Sequence, residues 1–174
     1  LPTGEWELTL QPTSKQYVIR DRQPLVYESR KEHREHDWHR LPVSGITLQD
    51  AKDYAAWLDR SGKVKGARLC TEVEWERAAK GADDREWPHG DDISAGDANF
   101  DATYNSDPPS MGPDAVGSYP ISRSPFGIDD MAGNVFEWTV SSLNKSESLV
   151  RSGSYFFSGI VQRSTNRNIF DPAL

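Results

Sequence analysis

The alternation of apolar and polar residues divides the chain into short strands, two helices and a long irregular segment. Near the N-terminus, WELTL and YVIRD alternate with the period of a strand, and QPLVYESR could form a third strand. Further along, ITLQDAKDYAAWLDRSG places apolar residues at i, i+3, i+4 and i+7, which predicts an amphipathic helix. Thr47 is expected to cap this helix, with Asp50 three residues on, and Gly62 to end it. Its buried face is expected to comprise Ala51, Tyr54, Ala55 and Leu58.

A second helix is predicted in CTEVEWERAAKG. Thr71 and Glu74 have the spacing of a capping box, in which each side chain accepts a hydrogen bond from the backbone of the other residue. Gly81 is expected to end the helix, because glycine readily adopts the conformation that follows a helix. Its buried face is expected to comprise Trp75, Ala78 and Ala79.

Residues 82–128 show no sustained period and are rich in Gly, Pro, Asp, Asn and Ser. In a compact domain a loop of this length is commonly held by a function or by a bound ion. Beyond it, NVFEWTV, LVRSGSYFF and QRSTNR predict further short strands. Two helices, short strands and a high share of irregular structure together predict an α+β fold.

Charge and cysteine content limit the classes of partner. The 174 residues carry a net charge of −7 at pH 7, which disfavours nucleic acid as a partner because polyanions need a cationic face. The sequence contains no signal peptide and no apolar run long enough for membrane insertion, and we expect a cytoplasmic protein. A single cysteine, Cys70, excludes an intramolecular disulfide. Because the chain begins without Met, we expect it to be a piece of a longer protein.

Several short segments form a characteristic pattern when they are considered together in their order along the chain. These are PVSGITLQDAKDYAAWL, ARLCTEVEWERAAKG, WPHGD, VGSYPISRSPFGIDDMAGNVFEWT and VRSGSY. In this order they resemble the formylglycine-generating enzyme family, also called the sulfatase-modifying factor family, over about residues 41–170. The resemblance implies a variant of the C-type lectin fold in residues 43–174, with residues 1–42 as strands and a linker leading into it. The chain also resembles the versions of this domain that are attached to bacterial protein kinases.

The C-terminus departs from the pattern of the family. Its domain normally continues into a final strand with a Gly-Phe-Arg-like motif, whereas this sequence ends at FDPAL. We therefore expect either a missing last strand or one that another piece of chain supplies. An unpaired strand edge would favour pairing with another chain.

The segment DDMAGNVFEW offers several oxygen atoms close together in sequence. They are the carboxylates of Asp130 and Glu137 and the backbone carbonyls of Gly133 and Val135. A hard cation such as Ca²⁺ takes six to eight oxygen ligands, and the resemblance implies a structural calcium site at these four positions. The alternative is a packed turn in which Asp130 caps backbone amides and Glu137 forms a buried ion pair.

The resemblance implies a second calcium site in the irregular segment. Its ligands would be the side chain of Asn99, the carbonyl of Phe100 and a carboxylate further along, for which Asp107 is the nearest candidate. This stretch is shorter than the usual pattern of the family. The expected cofactor is therefore structural Ca²⁺ at one or both sites.

The residues that make the family's enzymes oxidases are missing. In those enzymes two cysteines after the GGSY-type segment hold copper(I), for which soft thiolates are the natural ligands. Here Phe157 stands at the first position, and no cysteine lies around Gly159 and Ile160, where the second would fall. No copper is therefore expected, and the copper-dependent chemistry is expected to be lost. Cys70 replaces a proline at the start of the second helix and is expected to be a packed small hydrophobe.

Three histidines, His33, His36 and His39, are spaced three residues apart in KEHREHDWHR. On a helix this spacing spreads them over an arc of about 120°, and on a strand alternate members point to opposite faces. A solvated linker face is therefore favoured over a metal site or a pH-sensitive patch. A related branch of the superfamily uses three histidines on non-haem iron, but its ligands come largely from a preceding helical bundle, for which 42 residues are too few.

The C-terminal strands supply a candidate binding surface. C-type lectin folds commonly present ligand-binding residues in this region, although this is an analogy at the level of the fold. On a strand, Tyr155 and Phe157 would share one side and Phe156 would face the other. The alternative is an aromatic core with arginines paired to acids. The candidate ligand-binding residues are Tyr155, Phe156, Phe157, Gln162, Arg163, Asn166 and Arg167.

These observations predict a pseudoenzyme: a calcium-stabilised, non-catalytic sensing or signalling module of a larger bacterial protein. Its partners would be a small-molecule or protein ligand and the other domains of the longer chain. The alternative is an enzyme of the same superfamily that uses different chemistry or ligands supplied by a partner. A third hypothesis is a scaffold that binds only protein, for which a continuous apolar patch would be evidence.

Overall fold

The computed structural model describes residues 5–10, 15–141 and 148–171, and it has the predicted α+β composition. Strands β1 (Glu5–Leu10) and β2 (Lys15–Arg20) form an antiparallel hairpin, and β3 (Leu25–Val26) pairs with β4 (Glu35–His36). Two helices follow, α1 (Leu48–Arg60) and α2 (Glu72–Lys80). Strands β5 (Glu137–Val140), β6 (Ser148–Arg151) and β7 (Arg167–Ile169) form an antiparallel sheet with β6 in the middle.

Both helices begin at the predicted N-cap threonines, and both form a capping box, which the sequence pattern predicts only for α2. The amide of Asp50 donates to Thr47 Oγ1 over 3.1 Å, and the amide of Thr47 donates to the Asp50 carboxylate over 2.9 Å. Thr71 and Glu74 repeat this exchange at 3.2 and 2.9 Å. The buried face of α2 is confirmed, because Trp75 and Ala79 are buried and Ala78 packs against them.

The buried face of α1 is narrower than its apolar pattern predicts. The helix buries Leu48 and Ala55, which are seven residues apart and therefore lie on one line along its surface. Tyr54 lies about 100° around the helix from Ala55 and is 61% exposed, so its predicted place in the core is wrong. Trp57 is also exposed, at 42%.

The C-terminal strands are shorter than predicted. β6 ends at Arg151 because Ser152 adopts a positive φ of 65°, and residues 152–157 are therefore not a strand. The predicted alternation of Tyr155, Phe156 and Phe157 across two faces does not apply to this turn. Only the last residue of the segment QRSTNR, Arg167, belongs to β7, and its first residue, Gln162, ends a 3₁₀ turn, Gly159–Gln162.

The irregular segment after α2 is held by a buried ion pair with the N-terminal region. The side chains of Arg30 and Asp114 are both fully buried, with Arg30 Nη1 2.5 Å from Asp114 Oδ1. Arg30 also donates to the carbonyls of Ser110 and Gly112, at 2.6 and 2.8 Å. Residues 30 and 114 therefore join two parts of the chain that are far apart in sequence.

Tyrosine rings and hydroxyls enclose this ion pair. The guanidinium carbon of Arg30 lies 3.7 Å from the ring centre of Tyr27 and 3.8 Å from that of Tyr104. The hydroxyls of Tyr104 and Tyr119 donate to Asp114 Oδ2 over 2.7 and 2.5 Å. Burial alone would raise the pKa of Asp114, but His36, Arg30 and the two hydroxyls outweigh it and lower the pKa. The carboxylate is thus kept ionised inside the protein.

No helix within residues 5–10, 15–141 and 148–171 combines the length and the apolar character that crossing a bilayer requires.

We predict that Asp114→Ala lowers the free energy of unfolding by about 3–5 kcal/mol in urea denaturation at pH 7, because Arg30 is left buried without a counter-charge. The stabilisation from a lowered carboxyl pKa is present above the unfolded pKa of about 4 and is lost as the pH falls below it. The stability of the native protein should therefore fall more steeply between about pH 5 and pH 2 than that of the variant. The control Asp21→Ala removes an exposed carboxylate and should change little, and a similar small effect at Asp114 would contradict the prediction.

Candidate functional site

A wide cleft lies over one face of the β5–β6–β7 sheet. Its volume is about 1310 Å³, larger than the usual range of small-molecule pockets. Trp138 and Val150 are directly opposite each other in the sheet and form its floor. Phe136, Tyr155 and Phe170 add aromatic rings to the lining. The sequence pattern could have indicated this face, since residues 136 and 138 are two apart on a strand and so share a side.

The N-terminal region and the loop before α1 complete the cleft. Leu8 of β1 and the loop residues Pro42 and Val43 also line it. The indole N–H of Trp138 donates to the carbonyl of Ile46 over 3.0 Å, which fixes this loop against β5. The cleft is therefore built from both halves of the chain.

Two carboxylates on the wall of the cleft lack a cationic partner among the described residues. Asp130 accepts a hydrogen bond from the amide of Gly117 over 2.8 Å, and Glu137 accepts one from the indole N–H of Trp75 over 2.6 Å. Burial raises the pKa of Glu137 to about 7; the Trp75 hydrogen bond opposes this rise, and the charge of Asp130 adds to it. Burial also raises the pKa of Asp130. The alternative prediction of an ion pair at Glu137 is not what the structure shows.

These carboxylates fit the predicted first calcium site. Each keeps a second carboxylate oxygen, and the charge of Asp130 destabilises ionised Glu137, which a bound cation would relieve. The carbonyls of Gly133 and Val135 belong to the turn between them, and both are hard oxygen donors of the kind Ca²⁺ prefers. In the part of the chain that the structure describes, no three His, Cys, Asp or Glu side chains cluster as a metal site. The donors of this turn are all oxygen atoms, which suit Ca²⁺ better than a transition metal.

The residues predicted for the second calcium site are committed to other contacts. Asn99 is fully buried and donates to the carbonyl of Gly112 and to Asn134 Oδ1, at 2.9 and 3.2 Å. The carbonyl of Phe100 accepts from the amide of Thr103, and Asp107 accepts from the hydroxyl of Ser110. Asn99 Oδ1 is buried without a hydrogen-bond partner among the described residues. Of the predicted set, only Asn99 therefore offers an unused buried oxygen.

Asn99 instead supports the first site. Its carbonyl accepts from the amide of Asn134 over 2.8 Å, and it forms a bridge with Gly133. A Cβ atom at Gly133 would lie 2.3 Å from the Asn99 carbonyl oxygen, and Gly133 also has a positive φ of 75°. Only glycine fits at this position, so the turn that carries Asp130 and Glu137 has a defined shape.

The predicted ligand-binding residues are not all at the surface. Gln162 is fully buried, and its amide group donates to the carbonyls of Ser154, Phe157 and Ser158 at 2.9–3.2 Å. Asn166 donates to the carbonyl of Ser152 over 3.1 Å. These two amides therefore position the loop rather than contact a ligand.

The remaining members of that set lie in three places. Tyr155 is buried and lines the cleft, while Phe157 is 41% exposed beside it. Arg163 pairs with Glu86 over 2.9 Å, away from the aromatic wall. Arg167 is exposed on β7, and Phe156 is half-buried against Phe157.

Aromatic packing occupies the position of the first copper-binding cysteine of the family's enzymes. The ring of Phe157 lies 5.5 Å from Phe136 and 5.8 Å from Phe156, in edge-to-face arrangements. Cys70 is exposed, so its prediction as a packed residue is wrong. Partial burial of its thiol and the charges of Glu74 and Glu137 raise the pKa of Cys70, which keeps it protonated and unreactive at neutral pH.

The three histidines do not converge. His33 stacks on Tyr119 with ring centres 5.4 Å apart, and His39 is exposed and stacks on Trp38. His36 is only 6% exposed and lies 3.2 Å from Asp114, so the prediction of a solvated face is wrong for this residue. The short β3–β4 pairing turns His36 towards the buried ion pair, which local sequence spacing could not indicate.

Comparison with known proteins assigns a family to this arrangement. Residues 6–174 match the sequence profile of the sulfatase-modifying factor enzyme 1-like domain. The serine/threonine-protein kinase pkn1 of Chlamydia caviae is 41% identical over 98 residues, which cover 56% of this chain and 13% of the kinase. The hercynine oxygenase of Mycolicibacterium thermoresistibile is 38% identical over 107 residues, covering 59% and 21%. The formylglycine-generating enzyme of Mycobacterium tuberculosis is 37% identical over 106 residues, covering 58% and 33%.

The chain thus spans a third or less of the length of these relatives. Among solved structures, PvdO from Pseudomonas aeruginosa superimposes with a TM-score of 0.63 at 26% identity, covering 76% of this chain and 57% of PvdO. Treponema denticola variable protein 1 gives a TM-score of 0.64 at 19% identity, covering 78% and 67%, which shows a shared fold alone. The predicted C-type lectin-like fold is confirmed.

We predict that Gln162→Ala lowers the free energy of unfolding by about 1–3 kcal/mol, because three loop carbonyls lose their shared donor in a buried setting. Urea denaturation monitored by tryptophan fluorescence would measure this loss. Gln23→Ala, at an exposed position, is the matched control and should be nearly neutral. Equal effects of the two changes would show that Gln162 does not hold the loop.

Proposed function

Because the chain belongs to the sulfatase-modifying factor enzyme 1-like family, we propose that it is a non-catalytic binding module of that family within a larger bacterial protein. The observation that carries this proposal is the aromatic cleft with Phe157 at its side, in place of a copper-binding cysteine. A cleft lined by aromatic rings with a few polar groups is the usual form of a ligand site. The match to a domain of a Chlamydia protein kinase supports a sensing role in signalling.

The proposed module binds its small-molecule or protein ligand against Phe136, Trp138 and Tyr155. Aromatic rings supply apolar contact area, and the polar atoms on the opposite wall fix the orientation of the ligand. Phe157 adds an exposed ring at the side of the cleft. The cytoplasm is the proposed location, in keeping with a free thiol at Cys70.

We also propose that Ca²⁺ stabilises the wall of this cleft. Asp130 and Glu137 would hold the ion together with the carbonyls of Gly133 and Val135. The ion would supply the positive charge that the two carboxylates lack in the described chain. Its role would be structural, since it would fix the turn that leads into β5.

An enzyme with different chemistry is the second candidate. The observation in its favour is Glu137, whose pKa of about 7 beside a cleft suits a general acid or base. The similarity to a hercynine oxygenase and to a formylglycine-generating enzyme supports this alternative at the level of the family. A cation bound at Glu137 would lower that pKa and remove the argument, so the calcium experiment bears on both candidates.

We expect saturating Ca²⁺ to raise the melting temperature by about 5–10 °C over chelator-treated protein, as roughly 100-fold excess over Kd implies for a domain of this size. Scanning calorimetry with Ca²⁺, Mg²⁺ or chelator would measure the shift. Glu137→Gln and Asp130→Asn should abolish the response. Asp129→Asn is the matched control, because Asp129 already pairs with Arg123 over 2.7 Å. A response that survives in Glu137→Gln would place the cation elsewhere.

We expect ligand-observed NMR with a set of amino acids, dipeptides and monosaccharides to find compounds that bind the cleft without being converted. Val43→Arg and Val116→Arg, at exposed positions of its lining, should weaken binding about tenfold by filling the opening. Val73→Arg, on the outer face of α2, is the control and should bind normally. Conversion of a bound compound, or aldehyde formation on a cysteine-containing peptide with copper and oxygen, would instead establish an enzyme.

A further inference from the structure

The outer face of α1 carries an aromatic pair that the domain does not cover. Tyr54 and Trp57 are 61% and 42% exposed, and their rings stack with centres 5.6 Å apart at an interplanar angle of 30°. Val64, in the loop that follows, is 51% exposed and belongs to the same end of the helix. Single exposed apolar residues are common on protein surfaces, whereas Tyr and Trp are enriched among the residues that carry most of the binding energy at interfaces.

The chain folds back after α1 and places one cation of the following segment, Lys63, over the aromatic pair. The amide of Val64 donates to the carbonyl of Leu58 over 3.2 Å, and Lys63 Nζ lies 4.3 Å from the ring centre of Trp57. The segment RSGKVKGAR, residues 60–68, contains four cationic residues and no acid. Arg68 is paired with Glu74, whereas Arg60, Lys63 and Lys65 form no ion pair within the described chain.

The helix itself explains only part of this arrangement. Cations near a helix C-terminus are stabilised by the helix dipole, which accounts for Arg60 and Lys63. The dipole does not account for two large aromatic side chains in solvent on a helix that buries only Leu48 and Ala55. Of the acids of α1 nearest the pair, Asp59 accepts from the amide of Gly66, and Asp53 accepts from Gln49. Both acids keep their negative charge, but Arg60, Lys63 and Lys65 outnumber them, so the surface is apolar at its centre and carries a net positive charge at its rim.

We infer that this surface, defined by Tyr54, Trp57, Arg60, Lys63, Val64 and Lys65, docks an acidic segment of a protein partner that also carries an apolar side chain. The aromatic pair would receive the apolar side chain, and the basic rim would pair with the acids on either side of it. This combination of aromatic anchors and cations is that of a binding hot spot with electrostatic steering. The inference is independent of the cleft, because none of these six residues lines it.

The negative net charge of the whole chain disfavours other anionic partners. The net charge is −7, and outside this small patch the protein is more negative still. A nucleic acid or an anionic membrane would extend beyond the patch and be repelled by the surrounding surface, whereas a short acidic segment would not. A symmetric pair of copies would bring the basic patch against itself, which like charges oppose. A short acidic peptide segment is the occupant that satisfies these constraints.

Selection of random linear peptides on the immobilised full chain tests the inference. Peptides that bind the native protein should be enriched in Asp and Glu around Leu, Phe or Trp, and fluorescence anisotropy should show weaker binding at higher salt. Trp57→Ala and Tyr54→Ser should each weaken binding about tenfold. Lys63→Glu combined with Lys65→Glu should abolish it. The exposed positions of these residues let the variants fold, which circular dichroism would verify.

Two matched controls separate the patch from general effects of charge and hydrophobicity. Phe126→Ala removes another ring, 61% exposed, that lies in a separate surface groove beside α2, and Lys31→Glu reverses an exposed cation elsewhere. Both should leave peptide binding unchanged. The inference is overturned if no peptide distinguishes the native protein from Trp57→Ala, or if the selected peptides are neutral or basic. Patch-dependent binding of phosphatidylserine vesicles or of single-stranded oligonucleotides, without acidic peptides, would also overturn it.

Discussion

The buried pairing of Arg30 with Asp114 is the interaction on which the irregular half of the domain depends. Residues 82–128 have no α-helix or strand in the structure, so their backbone groups cannot be satisfied by regular ladders. Arg30 supplies some of the hydrogen bonds that such ladders would provide, because it donates to two carbonyls of the segment as well as to Asp114. A guanidinium group suits this role because its five donors lie in a fixed plane. The N-terminal region therefore acts as an internal support for the long loop.

Hydrogen bonds connect this buried ion pair to the candidate site. The amide of Asp114 donates to the side chain of Asn134, and the amide of Asn134 donates to the carbonyl of Asn99. Asn134 lies between Gly133 and Val135, two of the proposed cation ligands. The turn that carries Asp130 and Glu137 is thus attached by hydrogen bonds to the layer that contains Asp114 and Asn99. This layer allows two like charges to remain close together in the folded protein.

The features that could be predicted from the sequence are those that interactions between neighbouring residues determine. The N-caps of both helices and the capping box of α2 could be predicted from short segments because each depends on neighbouring residues. The exposure of Tyr54 could not, since a helix pattern does not say how wide a face the rest of the domain covers. The burial of His36 and the role of Gln162 also escaped prediction, because each depends on a partner brought close by the fold. The sequence pattern could have indicated Phe136 and Trp138 as cleft residues, since they are two residues apart in the predicted strand NVFEWTV.

The way Gln162 holds residues 154–158 has an evolutionary consequence. Its amide bonds only to backbone carbonyls, which are present whatever the side chains are. Substitutions at positions such as 156 and 157 would therefore leave the anchoring of the loop intact. A descendant of this protein could acquire a new chemical preference at the cleft through such changes while keeping the same backbone. The side chains of this loop can therefore vary while Gln162 holds its backbone in the same conformation.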